Sequence, residues 1–196
     1  MTMITLPDGF RQGIVLLAYG LALMWGLALV DLVSGRQVSS RLGIQPRRLV
    51  GLPGILVAPL LHQYLAHLLA NSAPLVILGS LVLLWGLPVL GLVTGLGWLG
   101  SGLGSWLLGR PGTRHLGASG LVFAYLGFLL LRGYFDRTPP SLAIALVVGL
   151  FYGGSLWGLL PLQRGKSWIG HGCGFLAGAL GAHQLALWQS WWMGRG

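Results

Sequence analysis

The chain has 196 residues, of which 55% are hydrophobic and only 8% are charged. Because an ordinary soluble domain carries roughly 25% charged residues, this composition excludes a soluble globular protein. The net charge of +9 alone would suit nucleic acid, but the basic residues lie in short connectors between apolar runs, which predicts contact with anionic lipid headgroups and no nucleic-acid partner.

Six apolar runs follow one another along the chain, each bounded by charged residues, proline or glycine. A helix that crosses a membrane needs about 20 mostly apolar residues. The runs extend over about 13–33, 58–86, 88–109, 117–132, 139–161 and 168–192. They predict an all-α, polytopic membrane protein with six transmembrane helices. Since these spans leave only short connectors, we expect one transmembrane domain over 1–196, with its core at about 13–192.

The ends and the cysteine content add three expectations. Asp8 precedes the first apolar run without a small-residue cleavage site after it, which favours a retained span over a signal peptide. The single cysteine, Cys173, allows no internal disulfide and no cysteine-based metal cage. His62 and His67 are five residues apart and lie on different helical faces, so neither a metal nor another cofactor is predicted.

Polar side chains inside these apolar spans are the functional candidates, because burying them in lipid is costly. The second span carries His62, His67 and Asn71 near its start. Ser119 and His171 lie in the first turns of spans four and six. All even-numbered spans enter the membrane from the same side. The five side chains are therefore predicted to lie at similar depth near one membrane surface.

Ser119 is the candidate nucleophile, and His171 is the candidate base that would take its proton. Ser119 lies between small residues in Gly117-Ala118-Ser119-Gly120, which leave room for a substrate. The glycines that follow His171 at four-residue spacing allow the two helices to approach closely. The alternative for both residues is structural: Ser119 merely packs, and His171 bonds a backbone carbonyl.

His67 and Asn71 are four residues apart and share one helical face. Both side chains can donate hydrogen bonds. Donors arranged around a carbonyl oxygen stabilise the negative charge that acyl transfer builds there, by about 2.7–4 kcal/mol each. The alternative is that this pair only joins two helices.

Three motifs therefore occur in order: His62-x4-His67-x3-Asn71 in span two, Gly117-Ala118-Ser119-Gly120 at the start of span four, and His171 followed by Gly174 and Gly178 in span six. In this combination the sequence resembles the rhomboid family of intramembrane serine proteases. The resemblance covers all six spans.

The resemblance implies a six-helix rhomboid-like bundle in which Ser119 is the nucleophile and His171 the general base, without an acidic partner. It implies an oxyanion hole formed by the Ser119 amide with His67 and Asn71, and an aromatic contact between Phe123 and the His171 ring. Supporting positions are His62, Gly117, Gly120, Gly174 and Gly178. The substrates implied are transmembrane helices of other proteins, which enter from the lipid bilayer.

The resemblance also places two connecting segments at the edge of the site, residues 43–47 and 163–167. A Trp-Arg pair that some bacterial members carry in the first of them is missing. The chain resembles the minimal bacterial form and is expected in the bacterial inner membrane. The loops at the site's face hold more lysine and arginine than the others, which would place that face in the cytoplasm. Family topology implies the opposite, and we follow it.

Two other functions stay open at this point. An inactive rhomboid-like protein would bind membrane clients, although such proteins usually lack the serine or the histidine. A small channel or transporter would use His67, Asn71 and His171 to line a polar path.

Overall fold

The computed structural model describes residues 8–162 and 167–193, with side chains described up to residue 185. Within these ranges the chain forms eight α-helices, joined in places by short 3-10 segments, and no β-strand. The helices are α1 (Asp8–Val33), α2 (Gln37–Leu42), α3 (Gly54–Val57), α4 (Leu65–Val82), α5 (Leu87–Leu108), α6 (Ser119–Asp136), α7 (Pro139–Tyr152) and α8 (Trp168–Met193).

Four helices of the described chain are long and apolar enough to cross a membrane by length and composition: Asp8–Val33, Leu65–Trp85, Leu87–Leu108 and Pro139–Leu159. They coincide with predicted spans one, two, three and five. The other two predicted spans coincide with α6, which carries Arg132 and Asp136 in its last turns, and with α8. The all-α membrane class is confirmed, and the count of six spans stays a prediction.

The start of the second predicted span differs from the structure. Residues Ala58–Leu60 form a 3-10 segment, Leu61 is extended, and α4 begins only at Leu65. His62 therefore lies before the helix rather than in it. The segment bonds the loop before α6 instead of continuing a helix, since the Ala58 carbonyl accepts the Gly117 amide at 2.8 Å.

The centre of the bundle is α6, which packs against α4, α5, α7 and α8. Its middle turns are almost fully buried, as Tyr125, Leu126, Phe128 and Leu129 show. α7 is the opposite case, because most of its apolar side chains face outward. The first turn of α6 is thus held on several sides, whereas α7 has an open face toward lipid.

The helices α6 and α8 pack closely, and glycines make this approach possible. A Cβ atom on Gly174 would clash with the carbonyl oxygen of Gly120, and one on Gly178 would clash with that of Ala124. Helices that pack in a membrane rely on such small residues, because lipid provides no hydrophobic drive for association. The close contact between α6 and α8 therefore requires glycine, which has no side chain, at positions 174 and 178.

We predict that Gly178→Ala destabilises the protein by about 1–3 kcal/mol, because the methyl group forces α6 and α8 apart. Gly172→Ala is the matched control on the same helix, since a Cβ there meets nothing within 4 Å. Thermal unfolding in detergent should show a lower midpoint for Gly178→Ala and no loss for Gly172→Ala. Equal midpoints for the two variants would contradict the close contact.

Candidate active site

The site is centred on a hydrogen bond between two helix starts. Ser119 is the first residue of α6, and His171 lies in the first turn of α8. The Ser119 Oγ atom and the His171 Nε2 atom are 2.9 Å apart. The two residues are 52 positions apart in the sequence, and the close packing of α6 on α8 brings them together.

The other side of the imidazole fixes its orientation. The His171 Nδ1 atom lies 3.0 Å from the carbonyl oxygen of Gly158, in the 3-10 segment after α7. A carbonyl only accepts, so Nδ1 carries the proton and Nε2 is left to accept from the Ser119 hydroxyl. The Phe123 ring stacks on the imidazole with centroids 4.3 Å apart and planes 9° from parallel. These are the two rings between which the resemblance implied an aromatic contact.

The carboxylates of the chain lie elsewhere. Asp31 accepts a hydrogen bond from the Ser39 amide at 2.8 Å, and Asp136 pairs with Arg132 at 3.0 Å. The third acidic residue, Asp8, begins α1. The Gly158 carbonyl thus occupies the position that an aspartate takes in a Ser-His-Asp triad.

Hydrogen-bond donors lie beside the serine. Gly117 has a φ of +105°, and a Cβ atom there would come within 2.6 Å of the His67 ring and 3.4 Å of Asn71 Nδ2. Only glycine suits both the conformation and the space. One N–H of Asn71 donates to the His67 carbonyl at 3.1 Å, which leaves its second N–H as a candidate donor. The first amides of α6, including that of Ser119, have no partner within the helix.

His62 contacts the chain just before the serine. The Ala118 amide donates to His62 Nε2 at 3.4 Å, and the His62 and His67 rings lie 5.1 Å apart, edge to face. His62 is buried. It therefore supports the turn that presents Ser119, rather than facing a substrate itself.

A cavity of about 30 Å³, lined by both polar and apolar residues, opens next to the serine and histidine. One water requires about 10–15 Å³, so the cavity has room for water near the hydroxyl. Its polar lining residues are Ser101, Ser105, His115, Ser119, Ser167 and His171. Ile44 contributes from the first connecting segment. Of the second expected edge segment, 163–167, only Ser167 lies within the described residues.

Sequence reasoning missed three contributors to this site. Gly158 acts through its backbone carbonyl, which leaves no side-chain signal. His115 lies in a loop, outside the apolar spans in which a polar side chain is costly to bury and therefore noticeable. Ser167 was named only as the end of a connecting segment, although its carbonyl accepts the His171 amide at 3.0 Å.

Comparison with known proteins identifies the family of the chain. A sequence model of the rhomboid domain matches residues 51–186, which include His67, Asn71, Ser119 and His171. An uncharacterized protein of Mycobacterium tuberculosis is 42% identical over 173 residues, covering 84% of this chain and 72% of the relative. An uncharacterized protein of Mycobacterium leprae is 37% identical over 182 residues, covering 89% and 71%. The chain belongs to the rhomboid family.

Proposed function

We propose that this protein is an intramembrane serine endopeptidase that cleaves transmembrane segments of other membrane proteins. The observation that carries the proposal is the 2.9 Å contact between the Ser119 hydroxyl and the imidazole of His171. A serine hydroxyl becomes a useful nucleophile when a base is placed to take its proton. Neither a channel nor an inactive client-binding protein requires this contact.

In the proposed reaction, the Ser119 Oγ atom attacks the carbonyl carbon of the scissile peptide bond while His171 Nε2 takes the hydroxyl proton. Negative charge develops on the former carbonyl oxygen. The proposed donors to that oxygen are the Ser119 amide, Asn71 and His67. His171 then passes its proton to the leaving amine, and the C–N bond breaks.

A water molecule completes the cycle. Water attacks the acyl carbon on Ser119 while its proton goes to His171 Nε2. The bond between the acyl carbon and Oγ then breaks, His171 returns the proton to Oγ, and the carboxylic acid product leaves. The small cavity beside Ser119 and His171, with its serine and histidine lining, is the proposed source of that water. Because the imidazolium is stabilised by the Gly158 carbonyl, and the three aspartates of the described residues lie elsewhere, we expect slower chemistry than in a Ser-His-Asp protease.

The substrate class follows from where the site lies. Ser119 and His171 occupy the starts of two helices in a highly apolar chain, so a substrate must reach them near a membrane surface. The segment that carries Gly158 directly follows α7 and connects it to the site. Most of the surface of α7 is exposed. We propose that membrane-spanning helices enter beside α7. The mycobacterial relatives favour a bacterial cell membrane as the location.

The first test replaces the two reacting side chains. Ser119→Ala and His171→Ala should each lower cleavage of a model single-span protein in proteoliposomes by at least about 10³-fold, because each removes one half of the same proton transfer. Ser40→Ala is the control, since its hydroxyl lies on the exposed α2 helix. Cleavage by Ser119→Ala at the wild-type rate would reject the proposal.

The second test concerns the oxyanion donors. Asn71→Ala should lower kcat by about 10²–10³-fold, because the lost N–H stabilises charge that exists only in the transition state. KM should change little. Ser72 is the next residue on α4, and its hydroxyl accepts from the Trp25 indole and donates to the Leu68 carbonyl. The control Ser72→Ala should therefore keep the wild-type kcat. A loss that appears only in KM would argue against an oxyanion role for Asn71.

The third test displaces the imidazole without substituting either reacting residue. A Cβ atom on Gly158 would lie 2.9 Å from the Phe123 ring and 3.3 Å from His171 Nδ1. Gly158→Ala should therefore reduce kcat by about 10-fold or more through displacement of the ring. Gly154→Ala, in the same 3-10 segment, meets nothing within 4 Å and should match wild type. Equal kcat values for the two variants would contradict the proposed orienting role of Gly158.

A further inference from the structure

The loop between α5 and α6 contains an imidazole that the proposed mechanism does not use. The backbone of His115 pairs with Ile44 of the first connecting segment through two hydrogen bonds of 3.0 Å. Its ring reaches the same cavity as Ser119 and His171. His115 therefore lies where two loops and the start of α8 meet.

The hydrogen bonds around His115 determine which of its ring nitrogens carries the proton. The Thr113 hydroxyl donates to the Arg110 carbonyl at 2.6 Å. Its oxygen, 3.0 Å from His115 Nε2, must then accept the Nε2 proton. Burial lowers the pKa of His115 and so favours the neutral ring, which has only one N–H. His115 Nδ1 is consequently the acceptor for the Ser167 hydroxyl, 2.7 Å away.

Ser167 carries this connection into α8. Its hydroxyl oxygen accepts the Gly170 amide at 3.3 Å, and its backbone carbonyl accepts the His171 amide at 3.0 Å. A serine before a helix satisfies amides that the first turn leaves open. The same residue thus caps the turn that contains His171 and bonds His115.

We propose that His115 is a positioning residue for His171: through Ser167 it fixes the first turn of α8, and thereby the direction in which the His171 imidazole meets the Ser119 hydroxyl. This inference rests on the proposed endopeptidase function. The competing role is a loop staple that stabilises the fold and leaves kcat alone. The two roles differ in what a variant does to kcat when the protein remains folded.

The experiment measures kcat, KM and the thermal unfolding midpoint with a model single-span substrate in proteoliposomes. His115→Ala should lower kcat by about 10- to 100-fold with KM nearly unchanged, because small misplacements of reacting groups are costly. Ser167→Ala should do the same. The double variant should be no slower than Ser167→Ala alone, because Ser167→Ala already removes the bond to His115 together with the cap on the Gly170 amide.

A conservative variant and a control complete the design. His115→Asn places an amide oxygen near the position of Nδ1, where it can accept from Ser167, and should recover most of the kcat. His183→Ala is the matched control, because that histidine lies further along α8, with its ring 5.1 Å from Phe135. Its kcat should equal that of wild type.

Three results would overturn the positioning role: a wild-type kcat for His115→Ala, additive losses in the double variant, or a loss that follows the folded fraction and is not recovered by His115→Asn. Failure of the proposed function gives a different result, since the wild-type protein itself would then neither cleave the substrate nor react with a serine-directed phosphonate.

Discussion

The hydrogen bond between Ser119 and His171 depends on how closely α6 and α8 approach. A serine and a histidine side chain are short, so their helix backbones must lie near one another for the two atoms to meet. Gly174 and Gly178 permit this, because each faces a backbone carbonyl of α6 where a side chain would not fit. In this chain, helix packing and proposed chemistry therefore rest on the same contact.

The proposed active site also reflects how few acidic residues the chain contains. Only three acidic residues occur in the chain, and burying another charged pair in an apolar bundle would be costly. The Gly158 carbonyl orients His171 without adding a charge, and the Phe123 ring holds it from one face. Neutral hydrogen bonds and stacking thus do the orienting that a carboxylate does in soluble serine proteases.

Much of this arrangement could be predicted from the sequence, because polar side chains in apolar spans are rare enough to notice. The positions of Ser119 and His171 at two helix starts followed from span boundaries alone. The sequence predicts a helix at His62, because an apolar run does not reveal that residues 58–64 leave α-helical geometry and bond the loop before α6. Gly158 had no signal because a backbone carbonyl is present at every residue. The sequence gives no signal for a role of His115, because polar residues are common in loops.

The central claim is that the Ser119 hydroxyl is activated by His171. The most direct measurement is the rate at which a fluorophosphonate modifies the purified protein, with the modified residue located by mass spectrometry. If His171 activates the hydroxyl, one adduct is expected, on Ser119, which forms in the wild-type protein and is nearly lost in His171→Ala. An adduct on another residue, or equal rates of Ser119 modification with and without the His171 imidazole, would contradict it.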